Sequence, residues 1–283
     1  MVFMLAIFAF NVMAQENSEN SDKQKTEEKS EEESKETKEA DKSLTVDEIV
    51  EKSNHTAYYQ AHDGRSKVDM EIYDDDGNLR ERSFTILRKD MDTKDEEQNY
   101  YLYFEKPADV RKMAYLVWKH IDKDDDRWLY LPALDLVKRI AASDKRTSFV
   151  GSHFYYEDVS GRSITLDKHE LAGENEKYYI LNNIPEQPDN VEFSSYKIWI
   201  DKKTFMPMKA EYLDKNEKKY RVMEVIEMKE IQGFPTVTKS KMSDLNSGGH
   251  TIMKFSDIEY DIGIPENIFT ERYLRRPPRR WLQ

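Results

Sequence analysis

The sequence contains no cysteine, and that absence excludes several classes of protein. Disulfide frameworks, thiolate zinc sites, iron–sulfur clusters and cysteine nucleophiles all require thiols. The chain also has no cysteine to which a lipid could be attached. Glycine is also scarce, with 9 in 283 residues, which excludes collagen-like chains and leaves little material for glycine-rich loops that bind phosphate.

Basic residues are outnumbered by acidic ones, and the formal net charge is -12. An acidic balance of this size argues against a general nucleic-acid binder, because the phosphate backbone is itself negative. Aromatic residues are plentiful, with 17 tyrosines and 12 phenylalanines. The length fits one or two domains.

The first 14 residues form an apolar run that ends in Val12-x-Ala14, a small-residue spacing that signal peptidases recognise. The run is shorter than the roughly 20 residues that a membrane-spanning helix needs. No Lys or Arg precedes it, so the true start of such a leader is left open. We interpret residues 1–14 as a signal peptide; the alternative is a disordered apolar N-terminus of a cytosolic protein.

Residues 15–43 have a different composition. They contain eleven acidic residues against six lysines, and Ala40 is their single hydrophobic residue. A segment with so little apolar surface cannot bury a core, which predicts a disordered, self-repelling tether. The remaining residues, 44–283, are numerous enough to form one domain with a sizeable core.

The first element of that domain is predicted to be a helix. Thr45 and Glu48 have the spacing of a capping box. Ile49 and Val50 follow on one helical face, and the helical pattern fades near Tyr58.

Beyond the helix the hydrophobic period becomes two, which is typical of strands. Val68, Met70 and Ile72 alternate with polar residues, and Asp76-Gly77 is a hairpin-turn dipeptide. Many short strands and few helices predict a mainly β (α+β) protein built on one antiparallel sheet or barrel. The predicted strands are 67–73, 83–88, 100–105, 114–120, 127–131, 155–159, 163–171, 177–181, 193–200, 206–213, 220–231, 236–242 and 251–260.

One face of this sheet is expected to be apolar and the other largely wet. In the strand at 193–200, Tyr196, Ile198 and Ile200 share one face, and the intervening residues lie on the other. Such a sheet wraps either a packed core or a ligand cavity, and both alternatives stay open. We expect the first helix and the connection 132–149 to cover the apolar face.

Motifs for catalysis and metal binding are absent from the sequence. There is no Gly-x-Ser-x-Gly, Gly-x-x-x-x-Gly-Lys-Ser/Thr, Gly-x-Gly-x-x-Gly or His-Glu-x-x-His, and the six histidines lack metal-ligand spacing. The acidic stretch Asp122–Arg127 lacks the glycine and the final acid of an EF-hand loop, so we interpret it as a polar hairpin turn. We predict no catalytic residues, no metal site, no cofactor and no enzymatic activity.

Four segments carry a resemblance to a known family. They are Arg127-Trp-Leu-Tyr-Leu-Pro132, Lys138-Arg-Ile140, Ser148-Phe-Val-Gly-Ser-His-Phe-Tyr-Tyr-Glu-Asp158 and Tyr196-Lys-Ile-Trp-Ile-Asp-Lys-Lys-Thr-Phe-Met-Pro-Met208. On these segments the sequence resembles the LolA-like family of periplasmic proteins, often described as outer membrane lipoprotein-sorting proteins. The resemblance extends from about Leu44 to the C-terminus.

The resemblance implies an incomplete antiparallel β-barrel, wrapped around a few helices that act as a lid over an apolar cavity. It also implies the periplasm of a Gram-negative bacterium as the location, and a lipid or a lipidated protein as the cargo. The family members most like this sequence are linked with RND-type membrane exporters, so such an exporter is a second expected partner. Nucleic acid is not an expected partner.

Six aromatic residues are candidates to line that cavity. Aromatic side chains and methionines, of which the chain has 12, make an apolar cavity adaptable to acyl chains. Ordinary core packing is the alternative for each candidate. The candidates are Trp118, Trp128, Tyr130, Phe149, Phe154 and Tyr156.

Arginine residues are candidates for contact with lipid head groups or the membrane. Arg139 meets either a head group or an acidic neighbour, Glu157 or Asp158, and we favour the structural role. Residues 272–281 carry five arginines, and their proline pair predicts an extended basic tail. This tail either contacts anionic phospholipid or an exporter, or pairs with the acidic sheet surface. The candidate contact residues are Arg139, Arg275, Arg276, Arg279 and Arg280.

Three functions stay open at this point. The first, which we favour, is a periplasmic carrier that binds lipid or lipoprotein acyl chains for outer-membrane sorting or for an exporter. The second is a non-transporting accessory subunit of a membrane exporter. The third is a hydrolase, and only the ubiquitous Ser, His and Asp residues support it.

Overall fold

The computed structural model describes residues 44–283. The predicted signal peptide (1–14) and the predicted tether (15–43) lie outside these residues, and both stay predictions. Within the described range, no helix is long and apolar enough to cross a membrane.

Helix α1 (Val46–Asn54) begins at the predicted capping box. The Thr45 hydroxyl oxygen accepts the Glu48 backbone N–H at 3.2 Å, and the Glu48 carboxylate accepts the Thr45 backbone N–H at 2.7 Å. Two of the N–H groups that a helix leaves without partners are satisfied in this way. The helix continues as a single π-turn, His55–Tyr59.

Thirteen antiparallel strands form one open sheet. Strands β1–β6 make one meander and β7–β13 make another, and the two join where β1 pairs with β13. Strands β6 and β7 are the two edges, so the sheet is the incomplete antiparallel barrel that was predicted. The strands are β1 (Asp63–Tyr73), β2 (Leu79–Asp90), β3 (Gln98–Lys106), β4 (Ala114–Lys119), β5 (Asp126–Leu131), β6 (Leu136–Ile140), β7 (Asp167–Glu174), β8 (Tyr178–Pro185), β9 (Phe193–Asp201), β10 (Pro207–Asp214), β11 (Lys219–Ile231), β12 (Phe234–Asp244) and β13 (His250–Tyr260).

The predicted alternation determines which side chains of β1 face inward. Val68, Met70 and Ile72 are all buried on one face, which we call the inner face. The turn at Asp76-Gly77 returns the chain to β2, with Gly77 at φ +81°, a conformation that favours glycine. The predicted hairpin is therefore confirmed.

One predicted strand is wrong. Residues 156–159 belong to a short helix, α2 (Tyr156–Ser160), and Tyr155 is its N-cap. The Asp158 carboxylate accepts the Tyr155 backbone N–H at 2.6 Å, and this cap supports a helical start. The alternation of apolar and acidic residues in this segment indicated a strand, but the local cap and the tertiary contacts of the acidic residues outweigh it.

The two edges of the sheet also differ from the prediction: one edge strand was not predicted, and the other begins later than predicted. Part of the connection 132–149, which was expected to cover the inner face, is the edge strand β6. The turn before β6 places Asp135 at φ +45°, and a turn without glycine has no strong signal in the sequence. The strand predicted at 163–171 begins only at Asp167, after a 3₁₀ turn.

The C-terminal segment is not the extended tail that its prolines predicted. It forms helix α3 (Glu271–Arg275) and a 3₁₀ turn at Arg279–Trp281, with the prolines between them. Leu274 and Leu282 are buried in a second hydrophobic cluster, which we call the outer core. It lies on the face of the sheet opposite the inner face. The prolines lie between the two helical turns and interrupt neither of them. The burial of these apolar side chains holds the segment against the sheet.

The sheet is apolar on both faces around β3–β5. On β4, Tyr115 and Val117 enter the inner core, whereas Ala114 and Leu116 enter the outer core with the C-terminal segment. The expectation of a largely wet outer face is wrong for these strands. The reason is that a remote part of the same chain covers that face.

Candidate functional site

A cavity of about 330 Å³ lies between helix α1 and the inner face of the sheet; we call it the first chamber. Aliphatic, aromatic and methionine side chains from β2, β3 and β8–β13 form most of its wall, and residues 146–164 bound it on one side. The volume is within the range of small-molecule sites in proteins, about 300–1,000 Å³. The inner face therefore wraps a cavity as well as a packed core.

Strand β9 shows why the wall is apolar. Tyr196, Ile198 and Ile200 all line the chamber, as the alternation predicts. Neighbouring strands and turns contribute inward residues in the same way, including methionines, whose flexible side chains fit varied shapes. The lining methionines are Met206, Met223, Met242 and Met253.

A buried network of charges lies at one side of the chamber. The Glu157 carboxylate accepts a hydrogen bond from Arg146 at 2.6 Å and lies 3.3 Å from the Arg162 guanidinium, which also binds Asp167 at 2.8 Å. Burial by itself raises the pKa of Glu157, but the two guanidinium groups outweigh burial and hold the pKa below its ordinary value. Glu157 is therefore a carboxylate at neutral pH.

A further ion pair joins this segment to strand β11. Arg221 binds the Asp158 carboxylate and donates to the His153 carbonyl oxygen at 3.2 Å. Its guanidinium carbon also lies 3.9 Å from the centroid of the Tyr155 ring. Removing one partner of such a pair would leave a buried charge without compensation, which is costly. These contacts hold the segment in place as a wall of the chamber.

Lys119 fixes the end of α2. Its buried ammonium group donates to the carbonyl oxygens of Ser160 and Gly161 at 2.7 and 2.9 Å, and burial lowers its pKa to about 8. Gly161 has φ +76°, and a Cβ there would lie 2.4 Å from the Tyr58 ring. Only glycine allows this contact, which brings the π-turn after α1 against the end of α2.

Three of the six predicted lining residues are at the first chamber or beside it. Phe149 and Phe154 line it directly. Tyr156 packs in the inner core, with its ring centroid 5.5 Å from that of Phe149 and 5.4 Å from that of Tyr115.

The other three, Trp118, Trp128 and Tyr130, do not line the chamber. They pack in the outer core, where the Trp118 indole N–H donates to the Phe269 carbonyl oxygen at 2.8 Å. Trp118 faces outward because Tyr115, three positions earlier on the same strand, faces inward. Trp128 and Tyr130 pair with Leu116 and Ala114, which also face the outer core. The sequence revealed the aromatic cluster but not which face of the strands is the inner one.

Arg139 lies at the surface, with its side chain 68% exposed. Its carboxylate partner is Asp126, and not Glu157 or Asp158, which the arginines of the buried network engage. The favoured structural role is therefore compatible with the structure, with a different partner.

The exposed arginines of the C-terminal segment form what we call the arginine surface. Arg275 binds Asp135 at 3.0 Å and lies 5.7 Å from the Tyr130 ring centroid. Arg280 lies 5.2 Å from the ring centroid of Trp281. The members of the surface are Arg272, Arg275, Arg276, Arg279 and Arg280.

Residues 122–125 of the acidic stretch lie in the turn that connects β4 to β5, as interpreted from the sequence, and Asp126 and Arg127 begin β5. Asp125 binds the buried Arg127 at 2.6 Å, so part of the acidic charge is used inside the protein. Among residues 44–283, no three or more His, Asp or Glu side chains are grouped so that they could hold a metal ion.

Sequence reasoning missed most of the wall. Ala57 and Tyr58 of the π-turn and the inward residues of β10–β13, such as Val225 and Phe255, line the chamber but were not candidates. Their signal was present as alternation within predicted strands. The alternation identifies the two faces of each strand, but the six candidates were chosen because they are aromatic, and three of them lie on the other face of the sheet.

Comparison with protein families gives one match. A model of a family described as uncharacterized-protein-like matches residues 96–276. No curated protein matches the chain. Among solved structures, a DUF1329 family protein from Desulfovibrio piger is 29% identical, with a TM-score of 0.71, and the match covers 76% of this chain and 92% of that chain.

Two further solved structures are similar. An outer membrane lipoprotein-sorting protein domain from Vibrio parahaemolyticus is 26% identical, with a TM-score of 0.72, over 81% of this chain and 97% of that chain. A LolA superfamily protein from Nitrosomonas europaea is 20% identical, with a TM-score of 0.64, over 82% of this chain and 100% of that chain. At 20% identity this last likeness concerns the fold alone.

Proposed function

The chain belongs to the family whose model matches residues 96–276 and has a LolA-like fold, and from this premise we propose that it is a periplasmic carrier that binds acyl chains of a lipid or a lipoprotein in its cavity. The similarity to a lipoprotein-sorting protein domain supports a cargo of this kind. The proposed role is binding and transfer, and it requires no catalytic group.

The observation that carries the proposal is the apolar first chamber beneath α1. Each buried methylene contributes about 0.8 kcal/mol. About ten buried chain carbons therefore contribute about 8 kcal/mol, which corresponds to roughly micromolar affinity before the costs of association. The methionines of the wall let it adapt to a flexible chain.

The arginine surface supports a transient contact with a membrane. A basic residue close to an anionic bilayer contributes about 1 kcal/mol. We propose that this surface touches anionic head groups when cargo is collected or delivered. The proposed contact residues are Arg275, Arg276, Arg279 and Arg280 of this surface, together with Arg139 of β6.

The test of the carrier function is the recovery of lipid with the protein. The full chain is purified from the periplasm of a Gram-negative host, extracted with organic solvent and examined by mass spectrometry, and a fluorescent fatty acid is titrated into delipidated protein. We expect bound acyl lipid and saturable probe binding. A protein that is always empty and binds no probe would contradict the carrier function.

A matched pair of variants locates the probe. Ala210 lines the first chamber, and Ala210→Phe fills part of it; we expect probe binding at least tenfold weaker. Ser195 lies on the outer side of β9, and Ser195→Phe should leave probe affinity within about twofold of the wild type. Equal effects of the two variants would contradict binding in the chamber.

We also propose that residues 1–14 direct the chain to the periplasm and that an RND-type exporter is its membrane partner. Pull-down of the tagged chain from cross-linked membranes should recover such an exporter. Replacing Arg279 and Arg280 by glutamate should reduce the recovery. Failure to recover an RND-type exporter with the wild-type chain, while acyl binding is intact, would contradict this partner alone.

A further inference from the structure

A second chamber of about 280 Å³ adjoins the first. It lies between the π-turn that follows α1, the start of β1 and the adjoining ends of β12 and β13. Several side chains line both chambers, so that only side chains separate the two spaces. The shared residues include Tyr58, Ile86, Val159, Met206, Val237 and Phe255.

Tyr58 is held firmly at this junction. Its ring rests on Gly161, where a Cβ would collide with it, and the Lys119 ammonium lies 5.5 Å from its centroid. The other shared residues are apolar, including the unbranched Met206, which changes shape readily, except Asp158, whose carboxylate binds Arg221. The junction is therefore a mainly apolar passage with one rigid side and one adaptable side.

The second chamber is polar at its outer end. Arg88 lines it, but its guanidinium already donates to the backbone carbonyl oxygens of Tyr58, Gln60 and Ala61 and binds Asp90 at 3.0 Å. Arg65 borders it on β1, but Arg65 pairs with Leu87 of the outer core, and its guanidinium binds Glu259 at 2.9 Å and the Gln283 carbonyl oxygen of the C-terminal segment. Both guanidinium groups are therefore engaged by oxygen atoms of the protein itself.

The volumes limit how many acyl chains fit. A methylene group is similar in size to a water molecule, which occupies roughly 30 Å³. On that scale the first chamber accommodates about eleven chain carbons and the second about nine. On this scale the two chambers together match one long chain better than the three chains of a triacylated lipoprotein.

We propose, on the premise of the carrier function above, that the two chambers form one binding site for a single acyl chain. The chain, of about 16–20 carbons, lies in the first chamber, passes Tyr58 and extends through the second. A free fatty acid and a lysophospholipid share this chemistry.

Chain length is the first measurement. Saturated fatty acids of 8, 12, 16 and 20 carbons are titrated below their aggregation concentrations into the delipidated full chain. We expect affinity to rise by about fourfold per methylene at most, and to level off between 16 and 20 carbons. Palmitoyl lysophosphatidylglycerol and dipalmitoyl phosphatidylglycerol are compared in the same assay, and we expect the diacyl lipid to bind at least tenfold more weakly.

Ser66→Phe tests the second chamber. Ser66 lines that chamber and pairs with Ile86 across β1 and β2. We expect the plateau to move to about 11 carbons, with the affinity for the 8-carbon acid within about twofold of the wild type. Ser83→Phe is the matched control on the outer side of β2, and it should leave the plateau at 16 carbons or more.

The source of the chain is found from the same titrations. Stronger binding of palmitoyl lysophosphatidylglycerol than of palmitic acid identifies the lysophospholipid as the better source of this chemistry, and the opposite order identifies the free fatty acid.

The outcomes separate this inference from the carrier function. If no acyl ligand binds at any length, the carrier function fails and this inference fails with it. If acyl chains bind but Ser66→Phe folds and leaves the plateau unchanged, or if the diacyl lipid binds equally well, the single-chain site is wrong and the carrier function stands.

Discussion

The two halves of the inner face are filled differently. Beneath the first meander, the Phe149 ring packs against the rings of Phe84, Phe104 and Tyr115, with centroid distances from 5.5 to 6.3 Å. Beneath the second meander the wall is mainly aliphatic and methionine, and it surrounds the first chamber. The segment between the meanders packs the Phe149 ring beneath the first meander, whereas its Phe154 lines the chamber and its Tyr155 ring lies against Arg221 of the second meander. A packed core and a ligand cavity thus share one continuous sheet.

The largest expected effect on the difference between the two halves comes from removing the Phe149 ring, which fills the inner face beneath the first meander. Phe149 is fully buried, and we expect Phe149→Ala to lower the free energy of unfolding by about 3–5 kcal/mol, because a cavity replaces the ring. Urea denaturation at pH 7 measures the loss. Leu134→Ala, at a residue 69% exposed, is the control, with an expected change below about 0.5 kcal/mol. A loss under about 1 kcal/mol for Phe149→Ala would contradict the ring packing.

The next largest effect concerns the charges that hold this segment against the second half. Glu157→Gln removes the carboxylate between Arg146 and Arg162, and we expect a loss of about 3 kcal/mol in the free energy of unfolding. Glu170→Gln, at an exposed surface ion pair with Lys168, should cost less than about 1 kcal/mol. Similar losses for the two variants would mean that the buried network does not anchor the segment.

The same network predicts an acid-dependent stability. The pKa of Glu157 is lower in the folded protein than its ordinary value of 4.5, so the folded state binds this proton less readily than the unfolded state. The contribution of Glu157 is therefore complete above about pH 4.5 and is lost as the pH falls through the lowered folded value. Urea denaturation from pH 7 to pH 3 should show a smaller decline for Glu157→Gln than for the wild type. Parallel declines would contradict this assignment.

A smaller effect on stability is expected for a change in the outer core, which should leave acyl binding in the cavity nearly unchanged. Trp118→Phe removes the hydrogen bond to the Phe269 carbonyl oxygen, and we expect a loss of about 1 kcal/mol in the free energy of unfolding. Acyl affinity should stay within about twofold of the wild type, because Trp118 lies on the face opposite the first chamber. A large loss of acyl affinity in a folded Trp118→Phe protein would return this residue to the binding site.

The smallest expected effect concerns a methionine in the wall of the first chamber, beneath the second meander. Met223 lines the first chamber without being fully buried, and Met223→Leu conserves its volume. We expect the free energy of unfolding to change by less than about 0.5 kcal/mol. Acyl affinity should fall by a few-fold, because the branched side chain adapts less well. Calorimetric titration with palmitic acid measures the change, and unaltered affinity would exclude a role for methionine flexibility.

Much of the fold could be predicted because its signals are local. The capping box of Thr45 and Glu48 and the hairpin at Asp76-Gly77 depend on residues a few positions apart, and both are present in the structure. The prediction failed where a distant contact decides the local conformation. Asp158 caps α2 and also binds Arg221, 63 residues away, so the strand-like alternation at 155–159 is overridden.

The candidate site could be predicted only in part for the same reason. Phe149 and Phe154 were identified from an aromatic-rich segment and do line the first chamber. Trp118, Trp128 and Tyr130 come from equally aromatic strands but face the outer core. Alternation separates two faces of a strand, and it does not state which of them a remote segment will cover.

The amino-acid sequence by itself determined the periodicity, the helix start, most of the strands and the resemblance to the LolA-like family. These follow from backbone stereochemistry and from apolar and polar alternation over short distances. The tertiary structure alone decided that the C-terminal segment covers the outer face, that Phe149 fills one half of the inner face, and that the other half remains a cavity. Each of these depends on how segments far apart in the chain divide the apolar surface of one sheet between them.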